Sequence, residues 1–497
     1  MPMDAYLHYL WIAANPMALG IVTLGVALGI VIGALPGLTA TMGVTLLMPL
    51  AISLDLGPHL SLAMLIGIYV GAIYGGTITD ILIATPGTPA SAPTVLDGFP
   101  MTQRGEAGRA IVWATLASFV GGVLGALILS FLSPQLSRFA LRFSYHEYFA
   151  LAVFGLSMIV TISGRDVLKG IISGLAGLLL ATVGLDPVAG IPRFCFGFPE
   201  LFSGIGFIPV LIGLFAFAQV FSEIPELSRK GFTLPHLRFS YPSVKEFFRY
   251  RFTFLWPGTL GTFIGSLPGA GCDIASFVSY NEAKRLAKPG DRFGDGEPKG
   301  IIASESGKSG CTGGAMIPML TLGVPGDAVT AVMLNALVVQ GLQPGPLLFR
   351  DHADVVYPIF LTMILANFIM LVLGLLSARY TSRMILIDKR VLLPVICVLS
   401  VIGAYSLQNS LFDVGVAVAM GLIGYGMKRW EYPASPVVLA LILGPMAEQN
   451  LRRAMLMPGA SPFDFFTRPL SALLLLIAAA TVVTGLWKHP GWKREEG

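Results

Sequence analysis

Apolar runs recur from one end of this 497-residue chain to the other, most clearly at Ala14–Leu35, Ala110–Leu132, Ala150–Ile162, Ile205–Phe221, Ile359–Leu376 and Leu470–Leu486. Several match the ~20 helical residues needed to cross ~30 Å of hydrocarbon, and the others are shorter or interrupted by Gly and Pro. Lipid offers no hydrogen bonds, so a spanning segment must satisfy its own backbone, and a helix does this within one stretch. The pattern predicts an all-α polytopic membrane protein with roughly 12–14 membrane segments. Composition excludes a large soluble helical protein: 55% hydrophobic against 12% charged residues, with a mean hydropathy of +0.76, leaves too few charges to cover its surface.

The longest polar stretches are Glu223–Arg251 and Tyr280–Lys299, and neither is long enough for a soluble domain. An ATPase motor would have to be another chain. The N-terminus lacks a basic region before its first apolar run, so no cleaved signal peptide is expected. Arg229, Lys230, Arg238, Lys245, Arg249 and Arg251 crowd one segment. Arg379, Arg383, Lys389 and Arg390 flank a later one, and Lys488, Lys493 and Arg494 lie near the end. The positive-inside rule places these clusters in the cytoplasm. Cys195, Cys272, Cys311 and Cys397 have no metal or redox spacing, and they read as small hydrophobes.

Three marks occur twice in the same order. "GALPGL" at Gly33–Leu38 returns as "GSLPGA" at Gly265–Ala270, 232 positions later. Gly75-Gly76 followed by Pro86-Gly87 returns as Gly313-Gly314 followed by Pro325-Gly326, and "TVLDGFP" from Thr94 loosely matches "LVVQGLQP" from Leu337. The marks predict an internal duplication, with a first repeat at 1–228, a basic cytoplasmic linker at 229–252 and a second repeat at 253–497. Transporters built this way carry their sites near the midplane, where discontinuous helices of the two copies meet.

Pro removes an N–H and clashes with the preceding turn, so matched Pro-Gly pairs in two apolar halves predict broken or re-entrant helical hairpins. Non-helical backbone survives at membrane depth only when enclosed by protein or lining a watery cavity. A broken helix exposes N–H groups and about half a positive charge, which suits an anion. Hydroxyls and glycines follow the breaks in "PGLTATMG", "TPGTPASAP", "PGAGCDIAS" and "PGDAVTA". Asp80, Asp273, Glu305, Lys308 and Asp327 are the charged candidates nearby. Asp413 and Glu448 fall outside the repeated marks and read as structural or interfacial. "ESGKSG" resembles the end of a nucleotide-binding loop, but Ile302 stands where that loop needs its first Gly. His59, His146, His236 and His352 lie near segment ends, away from the repeated motifs, so no enzymatic constellation is expected.

The runs "LPGAGCDIASFVSYNEAKR", "FGDGEPKGIIASES" and "GGAMIPMLTLGVPGDAVTAVMLNALVVQGLQPGP", with "GALPGLTATMGVTLLMPL" and "GAIYGGTITDILIATPGTPASAPTVLDG" in the first half, resemble the large membrane subunit of the tripartite tricarboxylate transporters. The likeness covers essentially the whole chain. It implies a small four-span membrane subunit and a periplasmic solute-binding protein as partners, and secondary uptake driven by a cation gradient, with Na+ or H+ as the coupling ion and no other cofactor. Where the family typically reads Glu-Ser-Ala-Asn-Asn-Ala, this chain has Glu305-Ser306-Gly307-Lys308-Ser309-Gly310. An ammonium cannot ligate sodium. Lys308 therefore either stands in for a coupling cation, pairs with a substrate carboxylate, or pairs with Glu305 and holds the loop. Thr88 occupies a place where the family often has an acid, and Asp327 supplies one in the second half instead.

The expectation is thus a cation-coupled carboxylate importer subunit in a bacterial inner membrane. In the first half its site is expected at Pro36, Gly37, Thr39 and Thr41, and at Thr85, Pro86, Gly87 and Thr88. In the second half it is expected at Gly269, Gly271 and Asp273, then at Ser304, Glu305, Ser306, Lys308, Ser309, Gly313 and Gly314, and at Pro325, Gly326 and Asp327. A coupling ion is expected near Asp80, Asp273 or Glu305. The alternative is a channel for ions or solutes lined by the same broken helices.

Overall fold

The computed structural model describes residues 3–35, 37–84, 89–162, 166–186, 190–226, 240–269, 271–384, 389–406 and 409–487. They are overwhelmingly α-helical, and their strand content is the two-residue pairing of Gly184–Leu185 with Pro192–Arg193. Five helices are long and apolar enough to cross a bilayer: Pro16–Gly33, Pro58–Ile83, Ala107–Ala140, a stretch of 24 residues from Ala353 to Leu376, and Leu411–Arg429. Shorter apolar helices accompany them, including Ala40–Ser53, Val167–Ala181 and Ala328–Val339. The chain is an all-α polytopic membrane protein.

It folds as two compact units, one of Met1–Ser137 with Glu223–Leu399, the other of Arg138–Ser222 with Ser400–Gly497. Each unit takes a stretch from either side of the basic segment, whose residues 229–239 lie outside the described ones. The helices that build the candidate site are in the first unit. They are α1 (Pro16–Gly33), α2 (Ala40–Ser53), α3 (Pro58–Ile83), α4 (Ala92–Gln103) and α5 (Ala107–Ala140), followed by α6 (Arg251–Gly265), α7 (Gly271–Arg285), α8 (Pro298–Leu322), α9 (Ala328–Val339) and α10 (Ala353–Met384).

Local chemistry sets the ends of these helices. Asn15 caps α1, its Oδ1 accepting the Ala18 N–H at 2.8 Å, and Pro16 takes the first helical position, where a missing N–H does no harm. Pro58 and Pro298 begin α3 and α8 in the same way. Both of these helices stop on a left-handed residue, Ala84 at φ 52° and Gly323 at φ 70°, placed 239 positions apart. The Pro-Gly marks follow directly. At 1.5 Å per residue the 15-residue α6 and α7 reach only about 22 Å each, too short to cross alone. They pack against one another as a hairpin.

Glycine sets how closely the helices approach. A Cβ on Gly29 of α1 would lie 2.4 Å from the Ile68 carbonyl, and one on Gly71 of α3 would lie 2.3 Å from that of Val26. The α6–α8 pair shows the same arrangement: a Cβ on Gly265 would lie 2.5 Å from the Cys311 carbonyl, and one on Gly314 would lie 2.1 Å from that of Thr262. Between helices in lipid, where apolar burial contributes little, such backbone contact is the main source of association. Gly29 and Gly33 stand 232 positions before Gly261 and Gly265, the offset of the repeated marks.

The second unit has its own core. Ser435–Met455 packs on Tyr145–Ser157 and Val167–Ala181. Glu448 there is held by Arg193 at 2.6 Å and Arg452 at 2.7 Å, and both arginines also reach the buried Asp186. Asp413 is buried in the first turn of Leu411–Arg429.

Candidate functional site

α8 carries the densest set of the residues singled out from the sequence, and it is a single unbroken 25-residue helix enclosed by protein. Ser304, Glu305, Ser306, Lys308, Ser309, Gly313 and Gly314 therefore lie on a continuous helix, not at a break or in a loop. The Gly and Ser content of this helix serves packing. A Cβ on Gly313 would sit 2.4 Å from the Gly125 backbone, and the Ser306 hydroxyl donates to the Phe254 carbonyl at 2.6 Å.

Glu305 and Lys308 are one turn apart and both wholly enclosed, and the ammonium donates to Glu305 Oε1 at 2.8 Å. That oxygen also accepts from the Thr94 hydroxyl at 2.6 Å. The other, Oε2, accepts from Thr77 at 2.8 Å and Ser118 at 2.9 Å. Lys308 donates a second bond to Thr77 Oγ1 at 2.8 Å, and Ser304 meets Thr94 at 2.9 Å. One carboxylate thus ties α3, α4, α5 and α8 together, and hydroxyls compensate its removal from water. A buried charge with fewer partners would be strongly destabilising. Among the described residues no group of three or more His, Cys, Asp or Glu could hold a metal ion.

The helix interruptions hold the second group of residues expected at the site. In the second half the Gly269 N–H donates to the Gly326 carbonyl at 2.8 Å, so the tip of the α6–α7 hairpin is bonded to the Pro325-Gly326 break. Gly269 and Gly271 have φ of 79° and 64°, a conformation other residues rarely adopt. Asp327 closes the break by capping α9. It accepts from the Thr330 N–H at 2.7 Å and hydroxyl at 2.8 Å, and from the Tyr69 hydroxyl at 2.5 Å. In the first half Gly37 has φ 89°, and Thr39 caps α2 by accepting the Met42 N–H at 3.2 Å. Thr41 is half-buried on α2. Pro36, Thr85, Pro86, Gly87 and Thr88 lie outside the described residues.

The halves interlock. α9, which follows the second break, packs on α2 and α3, while α4 and the single turn Pro89–Ser91, which follow the first break, pack on α7 and α8. Asp80 is buried on α3. Asp273, in the first turn of α7, is exposed. It is the accessible acid among those expected to meet an ion.

Asp97 on α4 was not singled out from the sequence. It is buried, accepts the Tyr280 hydroxyl at 2.9 Å, and gathers the N–H groups of Gly294, Gly296 and Glu297 at 2.8, 3.0 and 2.8 Å. The acid in "TVLDGFP" was the available signal, a lone charge inside a repeated mark.

Interrupted helices, glycine seams and a buried charge network mark a multi-pass helical membrane protein with a polar interior. The chain matches the family described as "Tripartite tricarboxylate transporter TctA family" over residues 19–439, and it belongs to that family. A protein of Agrobacterium vitis described as "Uncharacterized 52.8 kDa protein in TAR-I ttuC' 3'region" is 36% identical over 472 residues, which is 95% of this chain and 94% of that one. A second from the same organism, "Uncharacterized protein in TAR-II ttuC' 3'region", is 34% identical over 236 residues, 48% of this chain and 98% of its own length. No solved structure matches.

Proposed function

We propose that this chain is the translocation subunit of a cation-coupled secondary importer of carboxylates, tricarboxylates or related acids, in a bacterial inner membrane. A periplasmic solute-binding protein delivers the substrate, and a small four-span subunit completes the membrane complex. Residues 1–228 and 253–497 are the two copies of a duplicated unit. The observation that carries this reading is the meeting of helix interruptions inside one unit. The Gly269–Gly326 bond joins two interruptions, α7 packs on the turn after the third, and Asp273 is exposed.

The N-termini of α2 and α7 would present free N–H groups and positive dipole ends to the substrate carboxylates. Asp273 would serve the coupling cation. The enclosed Glu305–Lys308 pair favours one of the roles open to Lys308: its ammonium already neutralises Glu305 and reaches no water, so it serves as a tethered cation and not as a substrate ligand.

Reconstitution tests the reading. Proteoliposomes holding this chain and the small subunit, supplied with the binding protein and labelled citrate as probe, should show saturable uptake that requires the binding protein and an inward cation gradient. Internal unlabelled substrate should accelerate uptake. A channel would show flux without acceleration from the opposite side.

A further inference from the structure

Val244–Arg249 is a short helix that runs through Tyr250 into α6. Along this rod Val244, Phe248, Phe252 and Trp256 recur at every fourth residue and are 75%, 57%, 70% and 51% exposed. Each step of four advances about 40° beyond a full turn, so the four side chains form one gently winding apolar stripe. Lys245, Arg249 and Arg251 are exposed beside it, and the Arg251 guanidinium lies 4.9 Å from the centre of the Phe252 ring. The stripe does not end at the surface. Leu255 and Phe263 of α6 are also exposed, which carries the apolar face along the helix.

The open end of the α6–α7 hairpin holds a groove of about 660 Å³ bordered by Arg249, Phe252, Trp256, Leu286, Lys288 and Lys299. Its acids are engaged: Glu282 pairs with Arg285 at 2.7 Å and Asp291 with Lys299 at 2.6 Å, while the neighbouring Glu246 pairs with Arg109 at 2.7 Å. Arg249 and Lys288 have no carboxylate at ion-pair distance among the described residues. The groove therefore sets basic groups beside apolar and aromatic ones at the N-terminal end of α6.

We propose that this groove binds the headgroup of an anionic phospholipid from the surrounding leaflet, with Arg249 and Lys288 on the phosphate and the acyl chains along Phe252 and Trp256. Basic residues beside an aromatic, apolar face match both parts of such a lipid, and the anionic cytoplasmic leaflet is where basic clusters gather. A soluble protein partner would not need the face to continue down α6.

Trp256 reports the occupant directly. The protein is placed in nanodiscs containing either bromine-labelled phosphatidylglycerol or bromine-labelled phosphatidylcholine at equal fraction, and the quenching lost in Trp256→Phe isolates this side chain. Quenching by the anionic lipid should exceed that by the zwitterionic one on the order of tenfold, given two basic residues at an anionic surface. Arg249→Gln with Lys288→Gln, both exposed positions, should abolish the preference while leaving quenching by phosphatidylcholine in place. Equal quenching by the two lipids, or a preference that survives the double substitution, would overturn the proposal. So would its displacement by inorganic phosphate, which would mark a free-anion site, or no quenching by either lipid, which would mark a face covered by protein.

Discussion

Tyr69 of α3 donates its hydroxyl to Asp327 at 2.5 Å, so a residue of the first half completes the cap of the helix that follows the Pro-Gly break of the second. The bond crosses 258 positions of sequence and joins a fully buried apolar helix of one half to the buried residue that caps α9 in the other. Tyr69→Phe keeps the ring and removes one hydrogen bond to a buried charge, a loss of about 1.5–3 kcal/mol. The expected outcome is a lowered unfolding midpoint in detergent, with Asp327→Asn lowering it further because the Thr330 bonds weaken as well. Thermal unfolding of the two variants beside the parent checks the order.

The Glu305–Lys308 pair should be strongly non-additive. Either single neutralisation, Glu305→Gln or Lys308→Met, leaves an uncompensated buried charge and is expected to lose about 3–5 kcal/mol. The double substitution leaves none and should lose clearly less than the sum. Lys308→Asn adds a functional readout: with the tethered cation gone, uptake should acquire a dependence on sodium that the parent lacks at this position. Unchanged transport with unchanged ion dependence would leave Lys308 only a structural role.

The matched helix ends make opposite predictions for one type of change. Ala84 holds a left-handed conformation that costs a residue with a Cβ about 1–2 kcal/mol, while Gly323 adopts the corresponding conformation freely. Ala84→Gly should therefore raise stability slightly or leave it unchanged. Gly323→Ala should lower it by about 1 kcal/mol or more, since an added Cβ would also approach the Pro344 carbonyl at 3.0 Å. Unfolding midpoints of the two variants, compared in one detergent, decide the sign of each.

The membrane character and the second-half break at Pro325-Gly326 were legible because each rests on local chemistry: apolar length, or a residue that cannot continue a helix. α8 was not legible in that way. Its residues from Pro298 to Leu322 include no long apolar run, and it was not among the apolar segments read from the sequence. What makes it a helix is enclosure by neighbours that require small side chains, and that is a tertiary fact. The i, i+3 spacing of Glu305 and Lys308 did announce their pairing. Spacing could not announce Thr77, Thr94 and Ser118, which arrive from 228, 211 and 187 positions away. Asp97 escaped for the same reason, since its partners are loop N–H groups around Gly294–Glu297.

Asp273 separates transport from folding. Unlike Asp80, Glu305 and Asp327 it is exposed, and its backbone carbonyl, not its carboxylate, is the group that holds a neighbour, accepting the Ser276 hydroxyl at 2.9 Å. A substitution at an exposed side chain normally shifts stability by no more than about 0.5 kcal/mol. Asp273→Asn should therefore unfold with the parent and yet lose cation-dependent uptake in proteoliposomes, while binding of the solute-binding protein to the membrane complex stays intact. Because the side chain is exposed and the charge is kept, Asp273→Glu should recover part of the uptake and shift the cation concentration that half-saturates it. A variant that keeps full uptake with neutral Asn at this position would remove Asp273 from the coupling site.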